Sequence, residues 1–231
     1  MLGLNLVTVT LALLGTSVSK ASPLERRACT KYEIIHARGT FQPNGSTEGF
    51  TGMLNTVLNT RAGGSNYSVV YPASLDFSKS IPQGVADLSA HLKASIAACP
   101  TRNYTLIGYS QGAEVMNEYL INVTSTSNAT IYNRIKAIVY VGNPSHTPYT
   151  SSNFDENGGT STNPYIGSYK PKTPKLTQWL SKLHDICYNY DDICANNQSK
   201  PFGQGSNHGK YEDDTNVQNQ GAQFILAKLP A

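Results

Sequence analysis

The sequence predicts an α/β domain, a mostly parallel sheet with helices on both faces, and three observations predict it. β-rich runs alternate with amphipathic helical stretches along the chain, which is the pattern of parallel strands joined by crossover helices. The run Ile135–Val141 (IKAIVYV) is apolar almost throughout, as a strand buried on both faces is. A Gly-x-Ser-x-Gly motif at residues 108–112 joins a strand-like run to a helix-like run without a gap.

The chain opens on an apolar run, residues 4–14, interrupted by Thr8 and Thr10, with no charge before Lys20. It is too short to span a bilayer, which takes about 20 apolar residues. Ser19 and Ala21 supply the small side chains that a signal peptidase accepts, so residues 1–21 read as a signal peptide and the protein as secreted, extracellular and soluble. Residues 22–27 end in Arg26-Arg27, either the processing site of a short pro-peptide or a solvated charged stub. Residues 28–231 are expected to form one domain. Removing residues 1–27 takes Lys+Arg from 18 to 15 and Asp+Glu from 15 to 14, so the net charge falls from +3 to near +1. That leaves no electrostatic footprint for nucleic acid or anionic lipid. No later run is long enough to cross a membrane, and a monomer is expected.

The elements follow in order. Tyr32–Ala37 is a short β-rich run, and residues 49–60 form a helix with Phe50, Met53, Leu54, Val57 and Leu58 at helical spacing. Residues 67–71 (YSVVY) form a strand, and residues 82–99 a second helix carrying Val85, Leu88, Leu92 and Ile96 on one face. Asn103–Tyr109 is a strand, residues 111–123 a helix, and Ile135–Val141 a strand. Residues 143–175, rich in Ser, Thr, Asn, Gly and Pro, form a long surface excursion stabilised locally. One more strand at residues 182–188 and a closing helix at residues 216–229 complete the domain.

Four cysteines, Cys29, Cys99, Cys187 and Cys194, argue for two disulfides in an exported chain and allow three pairings. Their order suggests the long pair Cys29–Cys99 and the short pair Cys187–Cys194. On the chain-entropy model these stabilise by about 4 and about 2–3 kcal/mol. No histidine lies near either half at metal-ligand spacing. Six Asn-x-Ser/Thr sequons, at Asn44, Asn66, Asn103, Asn122, Asn128 and Asn197, agree with a secreted glycoprotein, although chance alone gives roughly four in a chain this rich in Asn, Ser and Thr.

The chemistry centres on Gly108-Tyr-Ser-Gln-Gly112. A strand running in and a helix running out make this the setting of a nucleophile elbow, the mark of an α/β-hydrolase. The turn is so tight that side chains at 108 and 112 would meet neighbouring backbone, while the Ser110 hydroxyl projects above the sheet. A serine needs a base to take its proton and an acid to orient that base, and in this fold class they follow in the order acid, then histidine. Of His146, His184 and His208, the second sits inside a strand and the first precedes nearly every credible acid. His208, in a loop before the last helix, is the candidate base. Asp191 and Asp192 both lie just past a strand, inside the Cys187–Cys194 loop, and the residues alone hardly separate them. The backbone N–H of Gln111, next after the nucleophile, is one oxyanion donor by elbow geometry.

The chain resembles the fungal cutinases and cutinase-like polyesterases, whose siblings include acetylxylan esterases. The residues that carry the likeness are Ala37-Arg-Gly-Thr40, Gly108-Tyr-Ser-Gln-Gly112, Gly142-Asn-Pro144, Cys187-Tyr-Asn-Tyr-Asp-Asp-Ile-Cys194 and the His208 loop, in the family's order over nearly the whole mature chain. The resemblance implies that Asp191 is the acid, with Asp192 a solvated neighbour, and its disulfide pairing matches the one above. It implies Thr40 as the second oxyanion donor, through its N–H and hydroxyl. Plant-pathogen cutinases resemble this motif with serine there, so threonine adds a methyl and restricts χ1. Gly209 stands after His208 where the family often has an apolar residue, which alters the rim of the acyl pocket.

The expectation is therefore a secreted carboxylic-ester hydrolase working through an acyl-enzyme on Ser110, without cofactor or metal. It would act on aliphatic polyesters of the cutin type and on short- to medium-chain esters. Phe202 is a candidate apolar contact for the acyl chain, or else a loop anchor. The excursion at 143–175 carries no sustained apolar helical stripe and is broken by Pro148, Gly158-Gly159, Pro164, Pro171 and Pro174, so a lidless site is expected. The nearest rival is an acetylxylan esterase. A non-catalytic surface protein on the same scaffold is opposed by the intact Ser–Asp–His order.

Overall fold

A computed structural model describes residues 29–169, 176–196 and 206–230. The signal peptide and pro-peptide readings, Asn197 and Phe202 lie outside the described residues.

Six strands form one sheet: β1 (Tyr32–Ala37), β2 (Gly64–Ser68), β3 (Asn103–Tyr109), β4 (Ile135–Val141), β5 (Asn153–Phe154) and β6 (Leu183–Ile186), in the spatial order β2-β1-β3-β4-β6-β5. Every pairing is parallel. Alternate residues of the central strands feed two cores. Ile34, Ile107, Val139 and Val141 pack on one face against α1 (Thr51–Thr60) and the closing helix α5 (Thr215–Lys228). Ile35, Leu106, Ile138 and Tyr140 pack on the other against α2 (Phe77–Ala98) and α3 (Gln111–Ile121). Both faces are covered, as parallel strands require.

Several boundaries move for physical reasons. The second strand is not 67–71 but β2, five polar, half-exposed residues at the sheet's edge. Only main-chain bonds to β1 define an edge strand, so its side-chain pattern is weak, and the ladder ends with Val69 N–H donating to His36 O at 2.9 Å. The second helix starts at Phe77 rather than at Pro82. Proline is commonest at the first helical position, but here it stands inside the helix. Its missing N–H costs only the bond that Ser78 O would accept near the helix start, while Ser80 N–H already donates to Asp76 O at 2.8 Å. A short helix α4 (Ala129–Arg134), a 3-10 helix (Thr177–Lys182) and the two-residue β5 were not foreseen. The 3-10 helix buries Trp179 completely. The excursion is stabilised locally as expected: the Asp155 carboxylate accepts from the N–H groups of Asn157, Gly159 and Ser161 at 2.8–3.0 Å. Its described part holds β5 and turns but no helix. No helix among the described residues is long and apolar enough to cross a membrane.

The two disulfides are Cys29–Cys99 and Cys187–Cys194. The first ties the chain ahead of β1 to the end of α2, and the second closes the loop after β6.

The register decides where chemistry can occur. Ala37 pairs with Gly108 and Tyr109 with Val141, so the C-terminal ends of β1, β3 and β4 lie side by side. β1 connects to its outer neighbour β2, whereas β3 connects to β4 on the opposite side, which opens a crevice at the carboxyl ends between them.

Burial has a pH consequence. His36 on β1 is 2% exposed, its Nδ1 has no partner among the described residues, and burial lowers its pKa to about 4 from an ordinary 6.5. The folded state thus holds a neutral ring that the unfolded chain protonates below pH 6.5. This stabilisation is complete above 6.5 and disappears as pH falls toward 4, a loss of about 3 kcal/mol. Burial shifts His184 the same way. Urea unfolding at pH 7, 5.5 and 4 should show this decline, and His36→Phe should flatten it. An equally steep decline in that variant would remove His36 as its source.

Candidate active site

Ser110 caps α3 with φ 52° and ψ −119°, a positive φ that a non-glycine residue adopts only under constraint. The constraint is close packing. A Cβ on Gly112 would lie 2.1 Å from Ala37 O, and one on Gly108 would lie 2.6 Å from Ala113 Cα. Only glycines let α3 approach β1 and β3 this closely, and the sharp turn pushes the half-buried Ser110 hydroxyl above the sheet. Ser110 N–H donates to Val141 O at 2.9 Å, which fastens the turn to β4.

His208 Nε2 lies 2.9 Å from Ser110 Oγ, and His208 Nδ1 lies 2.8 Å from Asp191 Oδ2. Asp191 is wholly buried, so its charge needs donors from all sides. Tyr211 Oη donates to Oδ2 at 2.5 Å, while the N–H groups of Ile193 and Cys194 donate to Oδ1 at 2.7 and 3.3 Å. The Cys187–Cys194 disulfide holds the turn that presents these amides. Tyr109 stacks on the imidazole with ring centroids 5.4 Å apart and donates its hydroxyl to His208 O at 2.8 Å. Gly142, at φ +60°, lies beneath the ring, where a Cβ would come 2.8 Å from His208 Cε1. Neither Tyr211 nor Tyr109 was singled out in the sequence. Tyr109 lies within the elbow motif, but nothing there marks it as a partner of the histidine, and nothing distinguishes Tyr211 among 14 tyrosines until the fold brings it to Asp191.

Asp192 departs from expectation. It is half-buried rather than solvated, and its carboxylate accepts from Ser206 Oγ, which in turn accepts from His208 N–H at 3.2 Å. Asp192 therefore anchors the histidine's loop, while Asp191 meets the ring. The other histidines are structural. His146 is fully buried 3.0 Å from Asp185 Oδ2, and His184 pairs with Gln220 Oε1 at 2.7 Å between Phe154 and Phe224.

Thr40 stands beside the elbow because Ala37 pairs with Gly108. Gln111 Nε2 donates to Thr40 Oγ1 at 3.2 Å and to Ser74 O at 2.8 Å, while Gln111 Oε1 accepts from Ser80 Oγ at 2.8 Å. Thr40 Oγ1 thus receives a donor from the residue next to Ser110. The loop is braced by Arg38, which is buried with no carboxylate partner among the described residues. Its guanidinium donates to the carbonyls of Gln42 (2.7 Å), Val69 (3.4 Å) and Tyr71, and stacks 4.7 Å over the Tyr71 ring. A cleft of about 350 Å³ opens at Ser110 and Gln111, between Leu75, Phe77 and Ile81 on one side and Pro144, Tyr169 and Ile193 on the other. Among the described residues no His, Cys, Asp and Glu cluster in a way that could hold a metal ion.

This serine–imidazole–carboxylate line, beside amide donors and an apolar cleft, can run acyl transfer. Residues 28–229 match the family model for cutinase. The chain belongs to the cutinase family. Among curated relatives it is 31% identical over 196 residues to carboxylesterase Culp1 of Mycobacterium tuberculosis, covering 82% of this chain and 79% of the relative. It is 26% identical to cutinase 11 of Verticillium dahliae, over 84% of this chain and 70% of that one. Among solved structures, a cutinase-like protein from a Cryptococcus species superposes with a TM-score of 0.77 at 34% identity, covering 88% of this chain and 97% of that one. This cutinase-family enzyme is a serine esterase with the α/β-hydrolase fold.

The two neighbouring aspartates separate the roles experimentally. Asp191→Asn should lower kcat about 10³–10⁴-fold, because asparagine favours the wrong imidazole tautomer. Asp192→Asn should cost less than about tenfold, since it loosens only the loop. Steady-state rates on a soluble butyrate ester decide, and the reverse ranking would mean that the loop register is misassigned.

Proposed function

We propose that the enzyme is secreted and hydrolyses aliphatic polyesters of the cutin type, together with short- to medium-chain esters, through an acyl-enzyme on Ser110. The observation that carries this reading is the line Ser110–His208–Asp191, with separations of 2.9 and 2.8 Å, at the carboxyl ends of the strands beside the cleft. His208 Nε2 takes the hydroxyl proton as Ser110 Oγ attacks the ester carbonyl. Asp191 holds the second ring proton on Nδ1 and stabilises the imidazolium that forms. The tetrahedral oxyanion receives the Gln111 N–H and the N–H and hydroxyl of Thr40. Collapse expels the alcohol, which takes its proton from His208. Water then enters, gives a proton to the same nitrogen and releases the acid. None of these steps needs a cofactor.

Secretion is supported by the signal-like residues 1–21 and by two disulfides, which persist in oxidising compartments. An open approach for a polymer is supported by the absence of a helix in the described part of the excursion, with Leu75 and Tyr169 exposed at the mouth of the cleft. Deacetylation of xylan uses the same line of residues. It is kept as the second reading because a Talaromyces purpureogenus acetylxylan esterase aligns over 89% of this chain at 24% identity. The rate on acetyl xylan against that on a hexanoate ester separates the two.

Ser110→Ala should fold normally and lose on the order of 10³-fold or more in kcat, and should fail to react with an organophosphate serine probe. Near-wild-type turnover would end the proposal. With an open site, the rate on a soluble ester should rise smoothly through the substrate's solubility limit, and an aliphatic polyester film should erode. A sharp jump at that limit, with little activity below it, would instead reveal a lid.

A further inference from the structure

We propose that Glu114 makes the acyl side of the cleft selective for acyl groups that are short or that carry a hydroxyl group about four to six carbons from the ester carbonyl. The inference rests on the esterase reading of Ser110 and narrows its substrate class.

Ser110 caps α3 and Glu114 stands at the end of that helix's first turn, about 6 Å further along the axis. Both line the same cleft, whose other walls include Phe77, Ile81, Pro144 and Ile193. Glu114 is only 2% exposed, so its carboxyl belongs to the interior of the cleft rather than to its rim. An apolar cleft with a single acidic floor residue is a costly arrangement unless polar groups meet the acid.

The fold supplies a polar backing behind that floor. Tyr140 on β4 is wholly buried, and its phenol is pushed well above its ordinary range by burial first and then by the charges of Asp185 and Glu114. Asp185 Oδ2 accepts from Asn143 Nδ2 at 3.1 Å and lies 3.0 Å from His146 Nδ1, and Asn117 Nδ2 donates to Asn143 Oδ1 at 3.3 Å. Tyr140 Oη and Asp185 Oδ1 find no hydrogen-bond partner among the described residues. The triad uses none of these groups. One side of the acyl path is therefore hydrocarbon, and the floor one helical turn below the nucleophile is polar.

The length of an acyl chain converts this placement into selectivity. With C–C bonds of about 1.5 Å, an extended chain advances roughly 1.3 Å per carbon. A chain esterified to Ser110 and running along α3 meets Glu114 near its fourth to sixth carbon. A methylene there sets hydrocarbon against the Glu114 carboxyl and returns no hydrogen bond, whereas a hydroxyl donates one to a carboxyl oxygen. Sites built around a polar partner reject the analogue that lacks it.

The test is kcat/KM on p-nitrophenyl acetate, butyrate, hexanoate, octanoate and ω-hydroxyhexanoate, for wild type, Glu114→Leu and Glu114→Gln. Wild type should decline from butyrate to octanoate and take the ω-hydroxyhexanoate at least about tenfold better than hexanoate. Glu114→Leu should lose the hydroxyl preference and gain about tenfold or more on octanoate relative to butyrate. Glu114→Gln, which keeps shape and hydrogen bonding, should retain most of the hydroxyl preference and serves if the leucine variant fails to fold. A wild type indifferent to the hydroxyl, or a folded leucine variant with the wild-type profile, would overturn the proposal. Wild type inactive on the whole series and unreactive toward the organophosphate probe would instead overturn the esterase reading on which it rests.

Discussion

The site depends on one steric constraint, the approach of the first turn of α3 to the end of β1. With a Cβ on Gly112 only 2.1 Å from Ala37 O, any side chain there would force helix and strand apart. Such a shift would carry Ser110 away from Thr40, whose position follows from the Ala37–Gly108 pairing. The same approach holds Ser110 at φ 52°, a conformation that costs of order 1–3 kcal/mol when nothing compensates it. The compensation is visible: the Val141 carbonyl takes the Ser110 N–H, and the apolar strands β1, β3 and β4 pack on both faces. Strain at Ser110 is thus tied to the rigidity of the central sheet.

The other half of the machinery is held independently. Asp191 and His208 come from loops after β6 and before α5, and neither touches the elbow through regular structure. A fully buried carboxylate is tolerated because Tyr211, two loop amides and the imidazole surround it. Cys187–Cys194 fixes the amides, and Asp192 with Ser206 fixes the backbone at His208. Tyr109 joins the halves, since it is the second residue of the elbow motif and also stacks on the histidine. The two halves meet across a 2.9 Å contact between side chains that lie 98 residues apart.

Around this line the environment is divided. Arg38 and the Gln111 side chain brace the loop that carries Thr40 through carbonyls and a hydroxyl. The cleft beside it combines hydrocarbon walls with the Glu114 floor. Affinity for an ester chain then comes from apolar contact, while discrimination between chains comes from the few polar groups that such a pocket contains.

The sequence by itself determined the fold class and the line of catalytic candidates, because both are written in local terms. Ile135–Val141 reads as a doubly buried strand, and Gly108-Tyr-Ser-Gln-Gly112 reads as an elbow because its glycines answer a local steric demand. The four cysteines, in chain order, gave the pairing that the structure has. His208 followed from order and loop context, whereas Asp191 needed the family likeness, since two adjacent aspartates present the same local chemistry. Tertiary structure decided what depends on partners far away in the chain. It moved the edge strand to Gly64–Ser68, because main-chain pairing with β1 outweighs β-propensity at an edge. It extended α2 back past Pro82, and it gave Asp192 a bond to Ser206 in place of solvent. It also brought Tyr211 to Asp191 and Glu114 to the floor of the cleft. The physical reason is common to all of these: a side chain's local pattern states whether it can be buried, and only the packed fold states against what.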